Sequence, residues 1–233
     1  AMLSSDNPQK TVAVGASAMR SGTHVSSVAV GYWCAPTISS EQSVFIGDSC
    51  GYRNVQGDVL SGKITNSIAI GYGARLGGSN EIQLGMYDQK LYAPSAVNIR
   101  SDFRDKADIE PLGFGLDFVR KLKPVTGVWD RRDAYTDELF TNLPPHERSE
   151  KLREWWANPS KDGRHKESLR QHWFIAQDVV ALEEEYGKLP MINFRQDTYT
   201  IEYEMFVPVL VKALQEMADE LESMKKQIQE LKK

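Results

Sequence analysis

Ser101 and Lys106, five residues apart, are the two residues of this chain whose types and spacing could provide a nucleophile and its base. A serine hydroxyl is a poor nucleophile until a neighbouring group takes its proton. A lysine amine can take that proton only when it is neutral, which burial or a nearby cation favours by lowering its pKa. Asp102 and Arg104 lie between the pair and could orient the turn or stabilise a developing oxyanion. The plain alternative is a polar linker in which none of these side chains reacts.

The pair lies where the composition of the chain changes. Twelve of the 17 glycines precede it, and four of the five tryptophans follow it. Residues 1–100 carry seven Lys and Arg against six Asp and Glu, whereas residues 101–233 carry 21 against 26. We therefore expect a Gly-rich domain at 1–100 and a densely charged domain at 101–233, the latter divided into an α+β part (101–200) and a helix (201–233).

Residues 11–85 repeat a short run of mostly branched aliphatic residues that ends in glycine. The runs are Val12–Val14, Val28–Val30, Val44–Ile46, Ile68–Ile70 and a weaker Ile82–Leu84. This spacing predicts short strands stacked in series, with the outer two residues of each run on one face. One such unit buries too little apolar surface alone, so we expect it to stack on its neighbours and on other chains. The pattern resembles the head repeats of trimeric autotransporter adhesins and the β-rich shafts of phage tail fibres; an unrelated β-solenoid is the alternative.

Charge, hydropathy and cysteine content narrow the possible partners. The formal charge of −4 gives no reason to expect nucleic acid. No apolar run approaches the ~18 residues that would span a membrane, so no membrane insertion is expected. Cys34 and Cys50 occupy equivalent positions in neighbouring repeats, and reduced thiols are favoured although a disulfide remains open. No Cys/His spacing resembles a metal site, and neither a metal nor a cofactor is expected.

The second half alternates helix and strand signals. The patterns predict a helix from Leu112 to Leu122, a strand at Val125–Trp129, a helix at Pro145–Trp156 within the otherwise irregular 133–170, a short buried strand at His172–Ala176, and a helix at Gln177–Tyr186 ended by Gly187. Residues 86–100 have strand character interrupted at Pro94.

The C-terminal residues carry an uninterrupted heptad pattern in which apolar spacings of three and four alternate. Its members are Val207, Leu210, Leu214, Met217, Leu221, Met224, Ile228 and Leu231. We call these eight residues the seam. Such a helix is typical of a coiled coil, and a parallel homotrimer fits the repeats upstream. The alternative is a helix that packs back on its own domain.

Several ordered motifs of residues 101–233 resemble the endosialidase-type self-cleaving intramolecular chaperone at the C-terminus of phage tail spikes and fibres. The motifs are Ser101-Asp102-x-Arg104-x-Lys106-x-Asp108-Ile109, Gly115–Phe118 with Leu122–Val125, Phe174–Val179, and Tyr203 with Val207–Glu216. The segment 133–170 is longer than this resemblance leads us to expect. The resemblance says nothing about its role.

The resemblance implies a homotrimeric folding chaperone that cleaves its own chain before the motif serine, here between Arg100 and Ser101. Ser101 would act as nucleophile and Lys106 as base, within one chain or across the trimer interface. His172 could polarise the carbonyl or relay a proton, although a lone histidine that begins a buried strand is more often a hydrogen-bonded core residue. We expect assembly in the host cytoplasm into a virion tail fibre, release of the chaperone part after cleavage, and a host receptor or glycan bound by the repeats.

Two other functions remain open at this stage. In one, the chain is an uncleaved trimeric adhesin whose C-terminal domain is only a clamp. In the other, it is a conventional hydrolase acting on an external substrate, although no Ser/His/Asp motif or phosphate-binding Gly loop supports that function. The tyrosines and the tryptophan that follow repeat glycines (Tyr32, Trp33, Tyr52 and Tyr72) could contact glycans or lie at subunit seams.

Overall fold

The computed structural model describes residues 4–5, 9–86, 89–140, 142–187, 189–195 and 198–232. Its elements, in chain order, are β1 (Ser4–Ser5), β2 (Val12–Val14), β3 (Ser21–Gly22), β4 (His24–Val25), β5 (Val28–Val30), β6 (Ser39–Glu41), β7 (Val44–Ile46), β8 (Lys63–Thr65), β9 (Ile68–Ile70), β10 (Ile82–Leu84), α1 (Leu116–Lys121), β11 (Pro124–Gly127), α2 (Asp133–Phe140), α3 (Pro145–Ala157), β12 (Gln171–Phe174), α4 (Ala176–Tyr186), β13 (Ile192–Arg195), β14 (Thr198–Ile201) and α5 (Phe206–Leu231). The predicted mixed α+β class and the long C-terminal helix are confirmed.

All five aliphatic runs are strands of one parallel sheet, in the order β10–β9–β7–β5–β2. They align in register, so that Ala29 of β5 pairs with Phe45 of β7, and Phe45 with Ala69 of β9. These middle residues are fully buried, whereas the third residue of each run is exposed. Three of the repeat units contain another short strand before the aliphatic run. These strands form a further parallel sheet in the order β4–β6–β8, which the sequence pattern did not predict.

A ladder of buried serines joins consecutive units. The hydroxyl of Ser43 donates to the carbonyl of Glu41 at 2.8 Å and accepts the backbone N–H of Ser67 at 3.2 Å. The hydroxyl of Ser27 accepts the N–H of Ser43 in the same way, at 3.3 Å. The units approach so closely that a Cβ at Gly31, where φ is +143°, would lie 2.3 Å from the carbonyl oxygen of Gly47. Glycine is therefore required where the chain turns between these units.

The two cysteines are free thiols, both fully buried in the core of the repeats. Cys50 donates to the carbonyl oxygen of Ala69 at 2.9 Å. The hydrogen bond with Cys50, reinforced by burial, raises the pKa of the Cys34 thiol well above its ordinary value. Buried protonated thiols behave as small apolar side chains, so both cysteines serve packing here.

The two compact units of the chain do not meet at residue 100, where the sequence predicted a single boundary, and each unit consists of two segments. One unit comprises residues 1–95 with 130–166, and the other comprises residues 96–129 with 167–233. The segment 130–166, which we call the strap, thus packs with the repeats although it lies within the sequence of the C-terminal part. It contains α3, as predicted, and also α2, which the irregular polar sequence of this segment concealed.

The second unit has one core, built where α1, α4 and the start of α5 pack together. Phe118, Val179, Met191, Phe206 and Val209 are its buried members. Strands β11 and β12 pair antiparallel, as do β13 and β14. Helix α1 begins at Leu116, four residues later than predicted, and its first N–H is accepted by the Glu216 carboxylate of α5 at 2.7 Å.

Two other expectations for this region were wrong. The strand at His172–Ala176 was expected to be buried, but His172 is exposed and the strand ends at Phe174. The strand character of residues 86–100 has no counterpart in the described part of that stretch, where residues 89–100 are irregular and exposed. Residues 87 and 88 lie outside the described residues.

Helix α5 carries two apolar stripes with different environments. Phe206, Val209 and Ala213 are at most 4% exposed and pack into the core of the second unit. The eight seam residues lie one position further along the helix and are 45–87% exposed. Because one residue rotates the face of a helix by about 100°, the two stripes are distinct surfaces. The alternative in which the seam packs back on its own domain is therefore wrong.

Candidate active site

A single 3₁₀ turn, Phe103–Asp105, brings Ser101 and Lys106 together. Asp102 precedes the turn and its carboxylate accepts the N–H of Arg104 at 2.9 Å, which is the usual way to satisfy a free N–H at a helix start. At the other end, the N–H of Lys106 donates to the carbonyl of Phe103 at 3.1 Å. The residues on either side of the turn are thus held next to each other.

Lys106 Nζ donates a hydrogen bond to Ser101 Oγ at 2.6 Å. This is the contact that the spacing of the two residues predicts, and it is within the range expected of a nucleophile and its base. Both side chains are exposed in the single chain. An ammonium group can only donate, so Lys106 must lose a proton before it can accept the one from Ser101.

Asp102 and Arg104 bind each other rather than Ser101 or Lys106. The guanidinium forms a two-pronged contact, with Nε 3.0 Å from Oδ1 and Nη2 2.6 Å from Oδ2 of Asp102. The side chain of Arg104, together with its N–H, lowers the pKa of Asp102, so the carboxylate that caps the turn stays ionised. Arg100 lies 3.8 Å from the carboxylate of Asp105, also on the surface. These four residues line one shallow depression beside the pair.

The segment around the pair exposes large apolar side chains that the sequence analysis did not identify as part of the site. Val97 and Ile99 precede Ser101, and Phe103 and Ile109 follow it. All four are exposed, and Phe103 is 76% exposed within the turn itself. The signal in the sequence was the set of apolar residues in an otherwise polar stretch, but those before Ser101 were interpreted as strand residues.

His172 is not brought to Ser101 and Lys106. It pairs with Thr126 across β11 and β12, and no hydrogen bond joins it to Ser101 or Lys106 among the described residues. Its predicted supporting role therefore finds no geometric basis in the single chain.

The repeats present a second cluster of predicted surface residues. Trp33 lies 5.3 Å from the ring of Tyr52 and 6.2 Å from that of Tyr32. Arg20 lies over Trp33 at 5.0 Å, and Arg53 lies over Tyr52 at 5.4 Å. Tyr72 is exposed on the following unit.

Trp33 occupies a strained backbone position. Its φ is +50°, and the residues two positions after Gly15, Gly47 and Gly71 are Ser17, Ser49 and Gly73, also at positive φ. Positive φ is unfavourable for a bulky side chain, and strain of this kind is found most often at functional positions. The signal was available in the sequence as a tryptophan at a position where the neighbouring repeats have small residues.

No protein-family model, curated protein or solved structure matches this chain. Within the described residues, no helix combines the length and apolar character needed to cross a membrane.

Proposed function

We propose that the chain is the C-terminal part of a phage tail fibre, in which residues 101–233 are a trimerisation and folding chaperone that cleaves the bond between Arg100 and Ser101. The observation that carries this proposal is the 2.6 Å contact between Ser101 Oγ and Lys106 Nζ in an exposed segment. The resemblance of the surrounding motifs to self-cleaving tail-spike chaperones supplies the reaction. The fibre would be assembled in the host cytoplasm and carried on the virion.

The chemistry begins with neutral Lys106. Its amine takes the hydroxyl proton of Ser101, and the oxygen attacks the carbonyl carbon of Arg100. The bond between that carbon and the Ser101 nitrogen breaks, an ester bond to Oγ forms, and Lys106 passes the proton to the leaving nitrogen. Water then opens the ester, which restores the hydroxyl and leaves the carboxylate of Arg100. The same proton transfers apply if Ser101 attacks the chain of a neighbouring subunit.

Burial by assembly would supply the neutral amine. Lys106 is exposed to water in the single chain. The exposed apolar side chains of Val97, Ile99, Phe103 and Ile109 surround the pair in sequence. A surface of another subunit that covers them would also remove water from Lys106 and favour its neutral form. Scission is then tied to assembly.

The seam of α5 is the part that would drive this assembly. Its eight residues run the length of the helix and remain exposed, while a separate stripe anchors the helix in its own unit. Apolar residues with this heptad spacing associate by burying the seam between helices. A parallel trimer of α5 would bring three copies of the second unit together.

The test is the mass of the full-length chain under denaturing conditions. We expect two fragments, 1–100 and 101–233, from the wild-type chain, and a single intact chain from Ser101→Ala and from Lys106→Ala. Arg104→Ala serves as the matched control, since it changes a charged residue of the same turn and should slow scission without abolishing it. Intact wild-type chain in assembled trimers would reject self-cleavage and favour the uncleaved adhesin.

The aromatic cluster of Tyr32, Trp33 and Tyr52 supports a receptor-binding role for the repeats. Aromatic faces pack on the apolar faces of sugars, and the arginines at 20 and 53 offer hydrogen-bond donors to hydroxyl or carboxylate groups. We expect binding to immobilised host-surface oligosaccharides, and loss of binding in Trp33→Ser, which introduces the residue of the neighbouring repeats. Unchanged binding in that variant would reject this surface as the receptor site.

A further inference from the structure

We propose that the strap, residues 130–166, is a docking element that keeps the 101–233 fragment bound to the repeats after the chain is cut. The surface that receives it is the turn at Arg53–Val59, within the longest gap between repeat strands. The inference rests on the proposed function for the scission itself, but the docking surface is defined by contacts of its own.

The strap is a long connection whose two ends are held close together. It leaves the second unit after β11 and returns to it before β12, and these two strands pair antiparallel. The N–H of Glu167 donates to the carbonyl of Trp129 at 2.8 Å, which closes the base. The rings of Trp129 and Trp173 pack at 5.0 Å beside it. Both ends of the strap are therefore fixed to the fragment that scission would separate from the repeats.

The strap has a small core that gives it a defined shape. Tyr135, Leu152 and Trp156 are almost fully buried. The hydroxyl of Tyr135 donates to Asp130 at 2.8 Å and accepts the N–H of Gly163 at 3.0 Å, which joins the start of the strap to its end. A preformed element loses less conformational entropy on docking than a flexible loop does.

The receiving turn is closed by its own hydrogen bonds. Asn54 Oδ1 accepts the N–H groups of Gln56 and Asp58, both at 3.0 Å, and Arg53 Nη1 donates to the carbonyl of Gly57 at 2.6 Å. This arrangement places Gly57, at φ +88°, on the face that meets the strap.

Two strap residues contact this turn directly. Thr136 is fully buried, and a Cβ added at Gly57 would lie 3.2 Å from its hydroxyl oxygen. Arg148 is only 8% exposed and donates to two carbonyls, that of Phe140 in the strap at 3.3 Å and that of Gly57 at 3.4 Å. The Arg148 guanidinium thus links the strap to the turn, and its carbonyl partners replace water that it loses on burial.

Charges on the two sides are also complementary. Burial raises the pKa of Asp133 at the start of α2, and the positive charges of Arg75, from the repeats, and of Arg131 oppose that rise. A carboxylate of the strap thus lies in the field of a repeat arginine.

Scission and release are consequently separate events. Cutting the bond between Arg100 and Ser101 removes one covalent link, but it breaks none of the contacts between the strap and the turn at Arg53–Val59. We expect the cut chain to remain one particle until the strap undocks. Loss of the strap contacts, rather than the cut, would set when the chaperone part departs.

The experiment separates docking from self-cleavage by making the cut with an added protease. A recognition site for a specific protease is inserted between Ser95 and Ala96 of the full-length Ser101→Ala chain, where the residues on both sides are exposed. The cut protein is captured through a tag at its N-terminus under native conditions. The amount of C-terminal fragment retained after washing is the readout.

Two glycines at the same backbone angle provide the matched pair. Gly57 and Gly62 both have φ of +88°, but a Cβ at Gly62 would meet nothing within 4 Å. Gly57→Leu and Gly62→Leu therefore incur similar backbone strain, and only the first places bulk against the strap. We expect retention of the C-terminal fragment to fall at least about tenfold in Gly57→Leu, equivalent to ~1.4 kcal/mol, relative to Gly62→Leu.

A second pair of variants changes the strap and leaves Gly57 as it is, so that its result does not depend on how the turn folds after substitution at Gly57. Arg148→Ala removes the buried contact, whereas Arg153→Ala removes an exposed arginine of the same helix. We expect Arg148→Ala to reduce retention and Arg153→Ala to leave it unchanged. Separation of the fragments with the strap intact would overturn the proposal, and so would equal retention in both members of each pair. Neither result depends on Ser101, so failure of self-cleavage in the wild-type chain is read independently.

Discussion

Serine residues occur in two contrasting environments in this molecule. In the repeats, Ser27, Ser43 and Ser67 are fully buried, and each hydroxyl both donates to the carbonyl two residues earlier and accepts an N–H of the next unit. At the junction, Ser101 is exposed and its hydroxyl oxygen lies 2.6 Å from an amine. The two kinds of serine therefore differ in the partners of their hydroxyl groups and in the access of water to them.

The same contrast extends to the apolar side chains of the two regions. Phe45 fills the core of the repeats, whereas Phe103 lies in the turn of the reacting pair and is 76% exposed. The repeats bury the middle residues of their three central strands within one chain, although the third residues are exposed, whereas the junction exposes its apolar side chains and Lys106. We interpret the core of the repeats as packing that one chain completes, and the junction as a surface that assembly would complete.

Truncation of Phe45 and of Phe103 gives the largest expected difference in the free energy of unfolding. Phe45→Ala should lower the free energy of unfolding of the repeats by about 3–5 kcal/mol, because it leaves a cavity in a closely packed core. Phe103→Ala should change it by less than about 0.5 kcal/mol, since little is buried there in the single chain. Denaturant unfolding measures both in a Ser101→Ala chain that also carries Leu214→Glu and Leu221→Glu, which should keep it monomeric so that no other subunit covers Phe103. A large loss of stability from Phe103→Ala would remove the contrast.

Substitution of a buried serine should affect stability, whereas substitution of Ser101 should affect scission. Ser43→Ala leaves the buried N–H of Ser67 without its acceptor and should cost about 1–3 kcal/mol of stability. Ser101→Ala should cost none but should abolish scission. Unfolding curves and denaturing mass spectra of the same two variants report both effects. Scission that persists in Ser101→Ala would show that another group attacks the bond.

A smaller effect is expected from pH, through His24 in the repeats. Its ring is fully buried, with Nδ1 2.8 Å from the Ser40 hydroxyl and Nε2 3.1 Å from the carbonyl of Ser21. Burial lowers the pKa of His24 below its ordinary value of 6.5. The unfolded chain therefore binds a proton before the folded chain does, so this contribution to stability is present above pH 6.5 and is lost as pH falls.

Thermal unfolding between about pH 7.5 and about pH 5 checks this sign. The midpoint should decrease on acidification in the wild-type chain and in His172→Gln, in which an exposed histidine is replaced. The decrease should be smaller in His24→Gln. A midpoint that rises with acid in the wild-type chain would contradict the neutral, buried ring.

The elements whose apolar residues recur at a regular spacing could be predicted from the sequence. The five repeat runs and the seam of α5 each follow a spacing that one kind of structure explains, and α3 and α4 begin within one residue of their predicted starts. The contact between Ser101 and Lys106 followed from their spacing, because one turn of helix between them is enough to bring them together.

Other features depend on contacts distant in sequence. The strap packs with the repeats because of Thr136, Arg148 and Asp133, none of which is apolar, so hydropathy gave no signal. The second repeat sheet uses Ser, Lys and Glu residues in strands of two or three residues, which lack a recognisable period. The apolar residues that precede Ser101 were assigned to a strand because local propensity alone cannot reveal whether a partner strand is present, and none of the described strands pairs with them.

The central claim is that association of the seam makes the reacting pair competent. Leu214→Glu with Leu221→Glu places two charges in the seam, at positions that are exposed in the single chain. Gln215→Glu with Ser223→Glu adds the same charge on the opposite face of α5 and serves as the control. Oligomeric mass under native conditions and chain mass under denaturing conditions are measured on the same samples. We predict cut trimers for the control and intact monomers for the seam variant; monomers of the seam variant that are cut as fast as the control would contradict the claim.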